Sequence, residues 1–398
     1  MDLIIHPGKL SGYVSVIPSK SQAHRLLICA AFADGATQLH CPEVNRDMDA
    51  TAACLNAIGA DIRRTSYGYA IEPVRNVPER ATLPCHDSGS TLRFLLPVVG
   101  ALGIDALFKM EGRLAQRPLS PLWEEMTRMG CNLSYIESNQ LRCSGRLRPG
   151  EYQIDGGVSS QFITGLLFAA ALIPGRSRIT VTGKLESKPY VEMTLHALSL
   201  FGCSGEDDTI TGGKRFHTTG SLKVEGDWSN GAFFLAANAL GSALEIDNLP
   251  EDSLQGDRAA ATLLPRLKQK CTISSADIPD LVPILSVVAA CNEGAVFTDI
   301  QRLRLKESDR VESTIAMIRN LGGWAEATES TLTVCGGGLL GGQIDCVNDH
   351  RIAMAAAIAA TACSNEVILT GAQCVEKSYP KFFDEYRRLG GNYEQYLW

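Results

Sequence analysis

Six times along the chain, a short polar cluster leads directly into a long apolar stretch that carries almost no charge. An apolar run without a polar face predicts a helix that is buried on all sides. Ser, Asp and Asn at the start of such a run are typical helix N-cap residues. Because helix N-termini attract anions, these starts predict a protein that holds small, highly charged anions. The six stretches begin near Lys20, Ser88, Val158, Trp228, Ile278 and Asn348.

An amphipathic helical pattern follows most of these runs and ends at a glycine, which is a C-cap signal. The intervals between successive glycines are 71, 72 and 68 residues, for positions 59 to 130, 130 to 202 and 322 to 390. The fourth amphipathic segment, from Arg258, lacks the terminal glycine. Short segments rich in Val, Ile, Leu and Thr between the helices predict β-strands. Since single cores stop growing near roughly 250–300 residues, an α/β chain of two domains with three repeats each is expected.

The composition narrows the class of protein. The chain has 398 residues, of which 45% are hydrophobic and 20% charged, and its net charge of −7 argues against a nucleic-acid partner. Its 13 cysteines are scattered without a Cys-x-x-Cys pair, which is typical of thiols in a reducing cytoplasm. No His and Cys spacing indicates a metal site. The N-terminus lacks a signal-peptide pattern, and no uninterrupted apolar run is long enough to cross a membrane.

Polar clusters in the first half of the chain carry residue types that bind phosphates and carboxylates. Lys20, Ser21 and Arg25 lie on the first turns of the first predicted helix, where backbone N–H groups also point outward. Gly89, at the start of the second helix, lets a ligand approach the backbone closely. For each cluster the alternative is an ordinary capped helix with solvated charges. Further candidates are Arg117 beside Pro118, then Ser159, Ser160 and Gln161, and finally Ser187 and Tyr190.

The second half of the chain adds carboxylates to the cations. Asp280 lies in a strongly apolar context, where a carboxylate is expected to be capped, paired or shifted in pKa; the alternative is an N-cap for a helix over 281–291. Lys306 and Arg310 are four residues apart and are predicted to share one helix face. Glu307, beside both cations, is a candidate acid or base. Arg351 and Lys377 stand near the starts of the last two predicted helices.

Taken together and in order, these segments resemble the 5-enolpyruvylshikimate-3-phosphate synthase family. The resemblance spans nearly the whole chain through eleven motifs. They are PSKS-x-x-x-R at 18–25, SGSTLR at 88–93, RPL at 117–119, VSSQ at 158–161, SKPY at 187–190, EGD at 225–227, QGD at 255–257, IPD at 278–280, RLKESDR at 304–310, NDHR at 348–351 and Lys377.

The resemblance implies the enolpyruvyl transferase fold, an inside-out α/β barrel of two domains with three βαβαββ repeats each. One domain is expected at 19–224 and the other at 1–18 joined to 225–398, with the active site in the cleft between them. The implied reaction adds the 5-hydroxyl of shikimate 3-phosphate to C2 of phosphoenolpyruvate and then eliminates phosphate. It implies no metal and no cofactor, and a cytoplasmic monomer is expected.

The resemblance also implies roles for individual residues. Asp280 binds substrate hydroxyls and acts as the base, Glu307 donates the proton, and Lys20 is the third catalytic group. The residues implied to contact phosphoenolpyruvate are Lys20, Gly89, Arg117, Gln161, Arg310, Arg351 and Lys377. Those implied to hold shikimate 3-phosphate are Lys20, Ser21, Arg25, Ser159, Ser160, Gln161, Ser187, Tyr190, Asp280 and Lys306.

Three positions depart from the family pattern. Ile17 precedes Pro18-Ser19 where Pro-Gly-Ser or Pro-Pro-Ser is usual. His86-Asp87 stands where Gly-Asn or Gly-Glu is expected, and His86 is placed to alter the loop near Gly89, which bears on sensitivity to the competitive inhibitor glyphosate. Arg302 occupies a position where some members have a substrate-contacting Asn. None of these departures removes an implied catalytic group.

Three alternatives remain beside this interpretation. UDP-N-acetylglucosamine enolpyruvyl transferases share the fold and the donor, but their mobile loop usually carries a Cys ahead of an Arg-Pro pair, and the loop at 112–118 has none. A scaffold protein that kept the fold and lost catalysis would not be expected to retain Lys20, Asp280, Glu307, Arg310 and Lys377. A nucleic-acid end-processing enzyme built from related repeats is disfavoured by the negative net charge.

Overall fold

All six apolar runs form helices in the computed structural model, which describes residues 1–203, 205–206 and 209–396. Every residue of the fifth and sixth of these helices is buried, and most residues of the other four are buried too, with exposure mainly at their ends. The prediction of buried helices is therefore confirmed. With helices numbered in chain order, they are α1 (Lys20–Ala31), α3 (Gly89–Leu102), α5 (Ser160–Leu172), α7 (Trp228–Ala239), α9 (Val282–Ala290) and α11 (His350–Ala359).

A second set of helices alternates with the buried ones. Five of the six end at a predicted glycine whose φ lies between 76° and 115°, a conformation that glycine adopts without a steric penalty. The glycine C-caps are thus confirmed at Gly59, Gly130, Gly202, Gly322 and Gly390. These helices are α2 (Arg46–Ala57), α4 (Leu122–Arg128), α6 (Lys188–Leu200), α8 (Ala260–Arg266), α10 (Arg310–Asn320) and α12 (Phe382–Arg388).

Contacts within the chain define two units, Met1–Ile17 with Glu225–Trp398, and Pro18–Val224. Each unit has its own hydrophobic core, and the buried helices supply most of its residues. In Pro18–Val224, α3 packs on α5 and α5 packs on α6; in the other unit, α9 packs on α11. Among the residues that the structure describes, no helix combines the length and the apolar character needed to cross a bilayer.

Three four-stranded sheets of identical design lie in Pro18–Val224. In each sheet the first two strands are parallel and the other two are added antiparallel, in the orders β14-β3-β5-β4, β6-β7-β9-β8 and β10-β11-β13-β12. The strands are β3 (Thr37–His40), β4 (Asp61–Thr65), β5 (Gly68–Glu72), β6 (Arg80–His86), β7 (Asp105–Met110), β8 (Cys131–Glu137), β9 (Gln140–Gly145), β10 (Glu151–Asp155), β11 (Gly175–Thr182), β12 (Gly205–Glu206), β13 (Thr209–Gly212) and β14 (Ser221–Lys223).

The other unit contains two sheets of the same design, β16-β17-β19-β18 and β20-β21-β1-β22. In the second of these, the N-terminal strand β1 completes the sheet by pairing antiparallel with β21 and β22. The strands of this unit are β1 (Asp2–His6), β2 (Ser11–Ser15), β15 (Ala243–Asp247), β16 (Cys271–Ser274), β17 (Gly294–Thr298), β18 (Trp324–Ala327), β19 (Thr331–Cys335), β20 (Gly342–Asp345), β21 (Val367–Thr370) and β22 (Asn392–Tyr396).

The fourth repeat departs from the expected βαβαββ pattern. Its sheet consists of the parallel pair β15 and β2, and no further strand of the described chain joins it. After α8 ends at Arg266, the chain reaches β16, the first strand of the next repeat, through residues 267–270. That connection is too short to hold two strands and a turn. In the described chain the fourth repeat therefore lacks a terminal hairpin, although it has both helices.

Candidate active site

The start of α1 carries a buried ion pair. The Lys20 ammonium donates a hydrogen bond to Asp47 Oδ2 at 3.1 Å, and the two side chains expose 15% and 6% of their surface. Asp47 lies in the first turn of α2, whose N-cap is Asn45. Asp47 therefore fixes the position of the Lys20 ammonium. The sequence interpretation did not include Asp47, although an acidic residue in a first helical turn is a visible signal.

A chain of buried polar side chains connects α1 and α2 with the start of α3. His24 Nδ1 lies 2.7 Å from Thr51 Oγ1, which lies 2.7 Å from Thr91 Oγ1. Thr91 Oγ1 in turn donates to Ser88 Oγ, the N-cap of α3, at 2.7 Å. Burial lowers the pKa of His24 to about 3, so the imidazole is neutral and adds no charge near Lys20.

Arg25 is buried, and its hydrogen-bond acceptors among the described residues are neutral groups. Its guanidinium donates to Thr194 Oγ1 and the Tyr190 carbonyl, both at 2.8 Å, and to the Ser21 carbonyl at 2.6 Å. It also lies 5.1 Å from the ring centroid of Phe94, within the range of a cation–π contact. Burial lowers the pKa of Arg25 to about 10, which still leaves the group charged at neutral pH. Tyr190 and Ser21, both predicted site residues, therefore lie beside Arg25.

Gly89 lies against two guanidinium groups at the start of α3. A Cβ atom added at Gly89 would lie 2.7 Å from Arg117 Nη1 and 2.8 Å from Arg93 Nη1, so a larger residue would displace them. Arg93 also donates to Gln161 Oε1 at 3.0 Å, and Gln161 Nε2 donates to Ser90 Oγ at 3.0 Å. The structure thus brings Gly89, Arg117 and Gln161 together through Arg93. The sequence interpretation did not assign Arg93 a substrate, although it lies one helical turn after Gly89 in the SGSTLR motif.

The predicted serines occupy helix starts in the same unit. Ser159 is the N-cap of α5, where its Oγ accepts a hydrogen bond from the Gln161 N–H at 3.3 Å, and Ser160 is the first residue of that helix. Ser187 is the N-cap of α6 and has a left-handed φ of 56°. Such a conformation is uncommon for a residue other than glycine and turns the chain sharply into α6.

The departure at His86 links two loops of this region. His86 ends β6 with a φ of 50°, and its Nδ1 lies 2.9 Å from Glu111 Oε1. Its carbonyl accepts a hydrogen bond from the Glu111 N–H at 2.6 Å. The segment before Gly89 is thereby tied to the segment that leads to Arg117.

In the other unit, one guanidinium group binds three carboxylates. Arg310 donates to Asp280 Oδ1 at 2.6 Å, to Glu307 Oε2 at 2.7 Å and to Asp349 Oδ2 at 3.0 Å. Burial opposes the charge, but Asp349, Glu307 and Asp280 outweigh it and raise the pKa of Arg310 above its usual value. Asp349 is also the N-cap of α11 and accepts from Ser308 Oγ. The sequence interpretation missed Asp349, which stands within the NDHR motif.

Asp280 is paired rather than used as a helix cap. The helix α9 begins at Val282 with Leu281 at the N-cap position, so the N-cap alternative for Asp280 is wrong. Burial alone would raise the pKa of Asp280, but the cations Lys306, Arg351 and Arg310 together hold it well below its usual range. Asp280 is therefore ionised at neutral pH.

Lys306 and Arg310 reach Asp280 from different local structures. Lys306 follows the 3-10 helix Gln301–Leu305 in an extended conformation, and α10 begins only at Arg310, so the prediction that they share a helix face is wrong. The Lys306 ammonium lies 3.7 Å from Asp280 Oδ1. Burial lowers the pKa of Lys306 to about 8; Asp280 opposes this shift, and the nearby cation Arg302 adds to it.

Arg351 is a buried cation, and two of its three guanidinium nitrogens contact no acceptor among the described residues. Its side chain is 1% exposed, and Nη2 lies 3.6 Å from Asp280 Oδ2. In the part of the chain that the structure describes, its Nε and Nη1 have no hydrogen-bond partner. Buried donors of this kind are costly unless a ligand satisfies them. Arg351 therefore has the features of a binding group for an anion.

Lys377 lies on a separate element of the same unit. It is the last residue of the 3-10 helix Ala372–Lys377, which packs on α11. The following residue, Ser378, accepts a hydrogen bond from Asn230 Nδ2 at 3.4 Å. The chain at Lys377 therefore lies beside the start of α7, which was not expected to take part in the site.

Comparisons of sequence and of structure with known proteins all indicate the same family. A family model described as EPSP synthase (3-phosphoshikimate 1-carboxyvinyltransferase) matches residues 4–386. The protein named 3-phosphoshikimate 1-carboxyvinyltransferase from Clostridium beijerinckii is 37% identical and covers 99% of both chains. The protein of the same name from Clostridioides difficile is 36% identical over 99% of this chain and 98% of its own. A solved EPSP synthase from Acinetobacter baumannii shares the fold, with a TM-score of 0.80 at 22% identity over 99% of this chain and 100% of that one.

Proposed function

The chain belongs to the EPSP synthase (3-phosphoshikimate 1-carboxyvinyltransferase) family, and from this premise we propose which of its residues carry out the reaction. The enzyme transfers the enolpyruvyl group of phosphoenolpyruvate to the 5-hydroxyl of shikimate 3-phosphate, a step of the shikimate pathway. The hydroxyl oxygen bonds to C2 while C3 takes up a proton, which gives a tetrahedral intermediate. The bond from C2 to the phosphate oxygen then breaks, C3 returns a proton, and phosphate leaves.

The observation that carries the proposal is the pair of carboxylates on one guanidinium group. Asp280 and Glu307 both accept hydrogen bonds from Arg310, at 2.6 Å and 2.7 Å. A reaction that moves one proton to carbon and another from a hydroxyl needs two acid–base groups held in fixed positions. We assign Glu307 as the proton donor to C3 and Asp280 as the base that accepts the proton of the 5-hydroxyl.

The low pKa of Asp280 is consistent with this role if substrate binding raises it. A carboxylate with a strongly lowered pKa is a weak base, and Lys306 and Arg351 contribute most to the lowering. Both cations are also proposed substrate ligands. When substrate phosphate and carboxylate groups share these cations, their hold on Asp280 weakens and its pKa rises toward the range of an effective base.

Phosphoenolpyruvate is proposed to bind to cations whose N–H groups are positioned before it arrives. The unpartnered N–H groups of Arg351 and the approach of Arg117 to Gly89 support this assignment. Lys20, held by Asp47, would stabilise negative charge that develops on the substrate. The proposed ligands of phosphoenolpyruvate are Lys20, Gly89, Arg117, Gln161, Arg310, Arg351 and Lys377.

Shikimate 3-phosphate is proposed to bind at the helix starts of Pro18–Val224 together with Asp280 and Lys306. Helix N-termini offer free N–H groups to a phosphate, and Arg25 adds a positive charge that no carboxylate of the described chain pairs with. Tyr190, whose ring centroid lies 6.0 Å from the Arg25 guanidinium, would lie against the ring of the substrate. The proposed ligands are Lys20, Ser21, Arg25, Ser159, Ser160, Gln161, Ser187, Tyr190, Asp280 and Lys306.

The assignment is tested by phosphate release from phosphoenolpyruvate. Purified protein is expected to release inorganic phosphate only when shikimate 3-phosphate is present, and the product is expected to carry the enolpyruvyl group on its 5-hydroxyl by NMR. UDP-N-acetylglucosamine serves as the control acceptor. Release that depends on this acceptor, or no release with either acceptor, would overturn the assignment.

Three further features remain proposals about the whole protein. We propose domains at 19–224 and at 1–18 with 225–398, a cytoplasmic location and a monomeric state. The free thiols of all 13 cysteines suit a reducing compartment. Light scattering on the purified enzyme is expected to give the mass of one chain of 42.9 kDa, and a mass of twice that value would reject the monomer.

A further inference from the structure

The start of α7 holds a buried carboxyl group to which the proposed reaction assigns no role. Asp257 lies in the 3-10 turn Gly256–Ala259, which packs against the start of α7, and is 1% exposed. Its Oδ2 accepts a hydrogen bond from Ser229 Oγ, on the second residue of α7. Its Oδ1 has no hydrogen-bond partner among the residues that the structure describes. A buried ionised carboxylate with an unsatisfied oxygen is unfavourable, whereas the neutral acid costs less to bury.

The charges around Asp257 also oppose its ionisation. Three charged groups act on it electrostatically: Asp280, from the turn before α9, and Asp227, the N-cap of α7, favour its neutral form, whereas Arg351, from the start of α11, favours its charged form. On its own turn, Arg258 is directed to the carbonyl of Glu251. Two carboxylates therefore act against a single cation at this position.

That single cation is already shared with another acid. Arg351 lies 3.6 Å from Asp280, while no ion pair joins it to Asp257 in the described chain. Burial, followed by the charge of Asp280, raises the pKa of Asp257 to about 7; the Ser229 hydrogen bond and Arg351 oppose this shift.

We propose that Asp257 is a positioning residue that carries a proton on its carboxyl group below neutral pH, so that Arg351 faces one charged carboxylate and remains available to phosphoenolpyruvate. When the proton of Asp257 passes to solvent at higher pH, a second buried negative charge competes with phosphoenolpyruvate for Arg351. The KM for phosphoenolpyruvate then rises, while the proton transfers assigned to Glu307 and Asp280 continue. This inference rests on the proposed binding of phosphoenolpyruvate by Arg351.

Asp257→Asn tests the inference because an asparagine side chain has the shape and the neutral charge of the protonated acid. Its amide oxygen can accept the Ser229 hydrogen bond, and its NH2 group cannot ionise. KM for phosphoenolpyruvate and kcat are measured from pH 6 to pH 9 at saturating shikimate 3-phosphate. The wild-type KM is expected to rise several-fold above pH 7, and that rise is expected to be lost in Asp257→Asn. Because both proteins use the same substrates, ionisation of phosphoenolpyruvate itself cancels in the comparison.

Ser229→Ala provides a second, independent readout. The Ser229 hydrogen bond favours the charged form of Asp257, so its removal is expected to shift the rise in KM to higher pH. Infrared difference spectra at pH 6 are expected to show a protonated-carboxyl band in the wild type that is missing from Asp257→Asn. If Asp257→Asn fails to fold, the direction of the Ser229→Ala shift decides the question.

Several results would overturn the inference. The first is an Asp257→Asn variant that is folded but loses kcat at pH 6. The second is a rise in the KM for phosphoenolpyruvate that persists unchanged in this variant. The third is a Ser229→Ala variant whose KM rises at a lower pH than that of the wild type. The failure of the proposed function is a separate result, because it is seen as a lack of shikimate 3-phosphate-dependent phosphate release by the wild type at pH 6.

Discussion

Arg25 and Arg310 are equally buried guanidinium groups with opposite surroundings. They expose 2% and 1% of their surface; Arg310 is the first residue of α10, and Arg25 lies midway along α1 in the other unit. Hydroxyl and carbonyl oxygens surround Arg25, and burial lowers its pKa. Three carboxylates surround Arg310 and raise its pKa. The same residue type is therefore left as an uncompensated positive charge in one unit and is neutralised in the other.

This difference indicates a division of labour between the units. A buried cation with neutral partners binds an incoming anion strongly, because no internal carboxylate has to be displaced. A cation that holds several carboxylates instead fixes their positions and pKa values, which is what proton transfer requires. Pro18–Val224 is accordingly assigned to holding the phosphate of shikimate 3-phosphate, and the unit that contains Asp280 and Glu307 is assigned to acid–base chemistry alongside its proposed phosphoenolpyruvate ligands.

The largest effect is expected from Glu307→Gln, which keeps the size of the side chain but removes the donated proton. The expected loss in kcat is about 10²–10⁴-fold, the usual contribution of a general acid. Glu312→Gln is the matched control, because Glu312 is 63% exposed and pairs with Arg304 on the surface of α10. Steady-state phosphate release measures both variants. A Glu307→Gln enzyme with wild-type kcat would remove Glu307 from the mechanism.

Asp349→Asn is expected to destabilise the protein because it removes one buried carboxylate from Arg310. The asparagine can still cap α11, and Arg310 keeps two other partners. The expected loss in the free energy of unfolding is about 3 kcal/mol, at the low end for breaking a buried ion pair. Urea unfolding is the measurement, with Asp309→Asn as the control, since Asp309 is 37% exposed and its loss is expected to cost about 1 kcal/mol or less. Equal losses in the two variants would show that the buried contacts of Asp349 with Arg310 stabilise the protein no more than the exposed pair of Asp309 with Arg304.

The sequence predicted the repeating parts of the fold because they depend on local pattern. The buried helices and the glycine C-caps follow from apolar runs and from single residues at helix ends. Asp47, Arg93 and Asp349 were missed as site residues because their importance arises from partners 27, 68 and 39 residues away in the chain. Such pairs carry no periodic signal.

The shortened fourth repeat did leave a signal in the sequence. Positions 202 and 322, which bracket two repeats, are 120 residues apart, whereas two intervals of the other repeats would span about 140 residues. The missing glycine after the segment at Arg258 belongs to the same shortened stretch.

The prediction that Lys306 and Arg310 share a helix face was wrong for a different reason. Asp309 caps α10, so the helix starts after Lys306.

Gly89→Ala tests whether the guanidinium groups beside Gly89 bind phosphoenolpyruvate. The added Cβ would lie within 2.8 Å of both Arg117 and Arg93, which must then move. Because of this displacement, we expect the binding free energy of phosphoenolpyruvate to weaken by about 1–1.4 kcal/mol, so that its KM rises up to about tenfold. Affinity for shikimate 3-phosphate is expected to change little. Gly8→Ala is the control, because nothing lies within 4 Å of a Cβ at that position. An unchanged KM in Gly89→Ala would place phosphoenolpyruvate elsewhere.

The smallest effect is expected from the pH dependence of shikimate 3-phosphate binding. The pKa of Lys306 is lowered to about 8, so the ammonium is charged below pH 8 and loses its proton as the pH rises through that value. Binding to the free enzyme is therefore expected to weaken about fourfold between pH 7 and pH 8.5. Lys306→Arg, which stays charged, is expected to lack this change when calorimetry is repeated in the same buffers. The same weakening in the wild type and in Lys306→Arg would show that a group other than Lys306 causes it.

The most direct test of the division of labour is the dissociation constant of shikimate 3-phosphate, measured by calorimetry for Arg25→Lys and Glu307→Gln. Arg25→Lys keeps the charge but loses the forked hydrogen bonds, and binding is expected to weaken by about 1.5–3 kcal/mol, or roughly ten- to hundredfold. Arg63→Lys, at a guanidinium that is 76% exposed, is the control for the substitution itself. Glu307→Gln is expected to bind within about twofold of the wild type although its turnover is lost. The account would be contradicted if Arg25→Lys bound shikimate 3-phosphate with wild-type affinity while Glu307→Gln lost that affinity.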